Sequence, residues 1–306
     1  MKVTALCSIL TLLLSVFCRA AGTGNFVESD LFGQMQPGDK AAILMVHFGT
    51  TYDDTRAVTI DAIRQKMAEA FKGIEMREAY TSRIVMRRLK TRGIVKPNPA
   101  EALEKLKADG YTHILIQPTH IIEGIEMESL RKDVAPLESA FKDIRIGPPL
   151  LYAPEDYEAV ITALTPPELA EKATLLVGHG TYTPATAQYA MLDYMLKAKG
   201  FDNYFVGTIE GYPTFDNALA QMKAAGIRKI LLRPFMFVAG DHARNDIAGD
   251  WKAALEKEGF EVVVWMEGLG ENEAVQALFI EHARFIARHK LINITKKKQQ
   301  YALEKE

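Results

Sequence analysis

The chain has 306 residues, 48% of them hydrophobic and 25% charged, with a formal net charge of −2. That is ordinary globular composition, long enough for two α/β lobes with well-buried cores. The near-even charge balance argues against a nucleic-acid-binding surface.

Residues 1–20 are a different material. A short basic start, Met1-Lys2, leads into an apolar run from Val3 to Cys18. That run is too short for a comfortable membrane span. Cys18-Arg19-Ala20 places small residues around a cleavage point after Ala20, as in a secretory signal peptide. The expected location is therefore the periplasm, with no stable membrane span once the signal is removed. Both cysteines, Cys7 and Cys18, lie inside this segment. The mature chain then has no disulfide framework, cysteine nucleophile or thiolate metal site.

Residues 21–39 are rich in Gly, Ser, Asp and Pro and are expected to form a flexible arm. The first lobe is expected over 40–165. Its strands are predicted at 41–46, 75–80, 113–118 and 144–151. Helices are predicted at 53–71, 82–90, 99–108 and 127–141. Prolines 148, 149, 154, 166 and 167 punctuate the crossover between lobes. The second lobe is expected over 166–292, with strands at 174–177, 204–209, 229–234 and 261–266. Its helices are predicted at 185–198, 214–225, 244–257 and 272–289. Residues 293–306 form a charged tail. Strands alternating with helices give parallel sheets covered on both faces. The fold class is therefore α/β, with two similar lobes and a cleft between them.

The lobes read as copies. Ile43-Leu44-Met45-Val46-His47-Phe48-Gly49-Thr50 lies against Thr174-Leu175-Leu176-Val177-Gly178-His179-Gly180-Thr181. Ile114-Leu115-Ile116-Gln117-Pro118 lies against Ile230-Leu231-Leu232-Arg233-Pro234, with Gly124 and Gly240 six residues past each proline. The copies differ in chemistry. Two residues after those glycines the first has Glu126 and the second His242. In the second lobe His179, Glu210 and His242 all leave carboxyl ends of strands, where open α/β sheets keep their ligands. Two imidazoles and a carboxylate suit a divalent first-row metal. His47 and His120 end strands of the first lobe and are expected to line the same cleft. His113 is expected to be structural, and His282 and His289 solvated. No Walker phosphate loop, Arg-His-Gly or Gly-x-Ser-x-Gly motif occurs.

These stretches, with Glu78-Ala79-Tyr80-Thr81-Ser82, Gln117 to Gly124, Gly207-Thr208-Ile209-Glu210-Gly211 and Pro234 to His242, resemble the anaerobic-type sirohydrochlorin cobalt chelatases. These are ATP-independent class II chelatases related to ferrochelatase. The resemblance runs from about residue 40 to 290 and implies a tetrapyrrole held in the cleft. It implies that His179, Glu210 and His242 hold and deliver the metal, Co2+ or Fe2+, which is a substrate. The implied activity is metal insertion into sirohydrochlorin without ATP. His179 is expected to be the main base for the pyrrole protons, since neutral imidazole both accepts protons and ligates metal. Arg83, Arg87, Arg88, His47 and His120 are expected to contact the substrate, the arginines through its carboxylates. A haem-like second tetrapyrrole on His120 at a subunit contact is a further expectation, as is a homo-oligomer. The competing reading is an exported metal or tetrapyrrole carrier without turnover.

Overall fold

The computed structural model describes residues 25–303, so the expected signal peptide lies outside the described residues. Two four-stranded sheets, all parallel, organise the chain. The first contains β2 (Ala41–His47), β3 (Glu75–Tyr80), β4 (His113–Pro118) and β5 (Asp143–Ile146), in the order β3-β2-β4-β5. The second contains β6 (Thr174–Gly180), β7 (Tyr204–Glu210), β8 (Lys229–Phe235) and β9 (Glu261–Val264), in the order β7-β6-β8-β9. The topologies are identical, as two copies of one unit require.

Alternation along the central strands builds three cores. Ala42, Leu44 and Val46 face an outer layer that includes Leu103, Leu106 and Met127. Leu175 and Val177 face the other outer layer, with Ile247 and Trp251. Ile43, Met45 and Leu176 face inward and share one core with Met67, Val160, Leu192 and Phe279. The sheets thus sandwich a common layer of helices. A strand buried on both faces must read as a continuous apolar run, which is how β2 and β6 appear in the sequence.

The closing helix Glu273–Arg288 lies in that shared layer, and its carboxyl end bonds the first lobe. The buried Arg145 guanidinium on β5 donates through Nη1 to the carbonyls of Ile286 at 3.0 Å and Ser29 at 2.7 Å. Its Nη2 donates to Asp143 Oδ2 at 2.8 Å. The arm expected to be flexible is partly a strand. β1 (Phe26–Glu28) pairs antiparallel with β10 (His289–Leu291). The last strand of the first lobe stops at Ile146 rather than 151, because Pro148 and Pro149 have no N–H for a ladder. A helix at Pro154–Leu164, with no counterpart in the sequence reading, fills the crossover. Its Asp156 accepts from His282 Nε2 at 2.9 Å, so His282 is a buried tie rather than a solvated residue. His289 stacks on Phe285, with centroids 4.2 Å apart. The tail carries a helix at Ile294–Leu303. No described helix is long and apolar enough to cross a membrane.

Candidate metal and tetrapyrrole site

In each sheet the chain leaves the central strand for one neighbour and later crosses to the other side. The loops after β2 and β4, and those after β6 and β8, therefore part and leave a crevice at the carboxyl ends. The two crevices face each other and form one cavity of about 450 Å³. Its walls are largely apolar, with Phe48, Ile121, Ile122, Phe237 and Val238 among the lining residues.

His179 and His242 enter this cavity from the second lobe. Their rings meet edge to face with centroids 4.6 Å apart. Two glycines permit that placement. A Cβ on Gly178 would run into the Tyr189 ring, and Gly180 has φ +81° with its missing Cβ directed into the Glu210 carbonyl. The Nδ1 of His179 lies 3.2 Å from the Gly180 carbonyl, which can only accept, so Nδ1 carries the proton. Nδ1 of His242 lies 2.6 Å from Asp246 Oδ2, which fixes the same tautomer there. In its neutral form each ring then presents Nε2 as the lone-pair nitrogen.

Glu210 stands on the adjacent strand, in register with Gly180. It ends β7, on the flank of β6 away from β8, and is exposed outside the cavity lining. Among the described residues no three His, Cys, Asp or Glu groups stand in a metal-holding arrangement. Of the expected set of three, the two imidazoles meet in the cavity, and Glu210 stands beside them on the adjoining strand.

The first-lobe histidines separate. His120 lines the cavity, is 7% exposed and keeps an unpartnered Nε2. It faces the inter-lobe cleft. His47 is fully buried beneath the cavity and does not line it. Its Nδ1 pairs with Thr119 Oγ1 at 2.9 Å, and its ring stacks on Phe237. Its expected substrate contact fails because the last residue of β2 still packs inside the fold. Burial lowers the pKa of each of these imidazoles to about 3, and they stay neutral.

Of the three arginines, Arg88 lines the cavity while Arg83 and Arg87 stand exposed outside it. All three lie on the helix Arg83–Thr91, whose Val85 and Leu89 pack inward, which sorts the others by face. Arg88 is ion-paired to Asp241 of the opposite lobe. Asp241 also accepts from Tyr52 Oη at 2.8 Å, and that bond raises the tyrosine's pKa. Arg244 stacks over the Tyr52 ring at 4.1 Å. On another side Gln188 joins the lobes by accepting from the Glu123 amide at 2.7 Å and donating to the Leu151 carbonyl. The sequence reading missed Asp241, Asp246 and Gln188. Only Asp246 left a local signal, a His-x-x-x-Asp spacing that puts both groups on one helical face.

The family model for cobalt chelatase (CbiK) matches residues 41–287. The chain belongs to the CbiK cobalt chelatase family. It is 38% identical over 251 residues to a sirohydrochlorin cobaltochelatase of Salmonella typhimurium, covering 79% of this chain and 95% of that one. It is 30% identical to the sirohydrochlorin cobaltochelatase CbiKC of Nitratidesulfovibrio vulgaris, over 81% of this chain and 91% of that protein. Among solved structures, the sirohydrochlorin chelatase SirB of Bacillus subtilis subspecies spizizenii in complex with cobalt aligns with a TM-score of 0.58. The alignment covers 81% of this chain and 95% of SirB at 14% identity, a likeness of fold.

Proposed function

We propose that this protein inserts Co2+, and also Fe2+, into sirohydrochlorin without ATP, with the metal delivered by His179 and His242. The observation that carries the reading is the pair of imidazoles 4.6 Å apart in the inter-lobe cavity, each with Nδ1 engaged by an acceptor. Metal insertion requires two pyrrole N–H protons to leave. Neutral imidazole nitrogens accept protons near neutral pH and bind a divalent ion. Two protein ligands leave coordination positions open for the macrocycle nitrogens, whereas a closed four-ligand site would not. The apolar walls suit the flat face of a tetrapyrrole, and Arg88 at the cavity offers a partner for its carboxylates. Glu210, exposed at the neighbouring strand end, is assigned to the approach of the ion rather than to the pair itself. The names of the curated relatives support the substrate. Export rests on residues 1–20, and amino-terminal sequencing of the secreted protein tests it.

The test is anaerobic incubation with sirohydrochlorin and Co2+ or Fe2+, followed by absorption spectroscopy. Turnover is expected, with His179→Ala reducing it roughly 10²–10⁴-fold, the range for a positioned acid–base group. Stoichiometric tetrapyrrole binding with no insertion above the uncatalysed rate would overturn the proposal and leave a carrier.

A further inference from the structure

We propose that Asp246 is a positioning residue for metal delivery, acting through His242. This rests on the assignment of His179 and His242 as the metal-delivering pair. The two imidazoles are oriented by different means. His179 sits at the end of β6, where the Gly180 carbonyl of the rigid backbone holds its Nδ1. His242 has no such support. It lies at the amino end of a π-helical turn, Ala243–Trp251, and its side chain is 45% exposed. Nothing in the backbone engages its Nδ1. Asp246 does so at 2.6 Å, from one turn along the same element.

The consequence is chemical as well as steric. A free imidazole divides its proton between two nitrogens and flips about its ring bond. Accepting Nδ1–H leaves Nε2 as the lone pair and fixes the ring beside His179. A carboxylate in that place also makes Nε2 a stronger donor to a cation, the role such partners play behind metal-binding histidines. Asp246 itself lines the cavity, with its side chain 30% exposed, but the hydrogen bond directs it at the ring. The π-helical stretch begins at the residue after His242 and contains Asp246. Helical segments of this kind are rare and are frequent at functional sites.

Three variants of the full chain test this: Asp246→Asn, Asp246→Glu and His242→Ala. Co2+ insertion rates are measured against both metal and tetrapyrrole concentration. The visible absorption of bound Co2+ is recorded separately, without tetrapyrrole. Asp246→Asn is expected to raise the KM for metal roughly 10–100-fold, the usual cost of losing such a partner. The KM for sirohydrochlorin is expected to stay within about twofold of wild type, as for a residue that meets only the metal side. Asp246→Glu should recover most of the loss. The Co2+ absorption band should shift in Asp246→Asn and return toward wild type in Asp246→Glu. A metal KM and a Co2+ spectrum unchanged in Asp246→Asn would overturn the inference, provided that His242→Ala weakens Co2+ binding. Unchanged Co2+ binding in His242→Ala would instead remove the metal-pair reading on which it stands. A rise in tetrapyrrole KM alone would also overturn it, making Asp246 a substrate contact.

Discussion

Gly180 and Gly226 allow the strain at the metal site to be separated from the ordinary cost of replacing a turn glycine. Both have positive φ, +81° and +70°. Alanine in that region loses about 1–2 kcal/mol to contacts with its own backbone. At Gly226 nothing lies within 4 Å of a new Cβ, so Gly226→Ala is expected to cost about 1 kcal/mol. At Gly180 the new Cβ would overlap the Glu210 carbonyl and come within 2.8 Å of Thr208 Cβ. Both neighbours belong to β7, a fixed strand rather than a flexible side-chain end. The β6–β7 ladder must part, at roughly 1 kcal/mol for each hydrogen bond lost. The total for Gly180→Ala is then about 3 kcal/mol or more. At about 2 °C per kcal/mol for a chain of this size, thermal unfolding should fall by roughly 6 °C for Gly180→Ala and 2 °C for Gly226→Ala. Because the Gly180 carbonyl also holds His179, Co2+ insertion should collapse only in Gly180→Ala. Equal melting temperatures for the two variants would refute the reasoning.

Arg145→Ala should destabilise the fold by about 3 kcal/mol or more, because it strands buried acceptors at the end of the closing helix. Urea unfolding measures the loss, and limited proteolysis should show the closing helix released first. A cost below about 1 kcal/mol would mean the guanidinium is replaceable by water. His47 and His120 make the fold acid-sensitive. Their pKa values are about 3 when folded and near 6.5 when unfolded, so the unfolded chain binds more protons between those limits. Their contribution is fully present above pH 6.5 and is lost as pH falls toward 3. At pH 5 each should cost about 2 kcal/mol relative to pH 7. His120→Gln should remove about half of that loss, leaving the part due to His47, and a wild-type profile flat from pH 7 to pH 5 would contradict the assignment. The Tyr52–Asp241 bond joins the two lobes at the cavity. Tyr52→Phe should cost about 1 kcal/mol or less of stability, as for a bond at a partly exposed site. It should alter the KM for tetrapyrrole more than that for metal, and steady-state kinetics checks the split.

Most of the scaffold is legible in local sequence. Residues 41–46 and 175–177 are uninterrupted apolar runs, the pattern that strands covered on both faces require. The glycines around His179 and the matching segments of the two halves are local signals. They identified the strand ends, the duplicated unit and the histidines at the second lobe's crevice. What lay beyond the sequence is what depends on partners distant in the chain. Phe26–Glu28 carries no pattern of its own and becomes a strand only against His289–Leu291. His282 and Asp156 are unremarkable surface types until two helices of the shared layer bring them together. Glu210 and His47 end strands and His120 follows one by two residues, and a strand end looks alike on either flank of a sheet. Which of them reaches the cleft was decided by the order β7-β6-β8-β9 and by the packing of Phe237 over His47. Periodicity records which face of a strand is apolar, but not which strand lies beside it, and the site is made by neighbours.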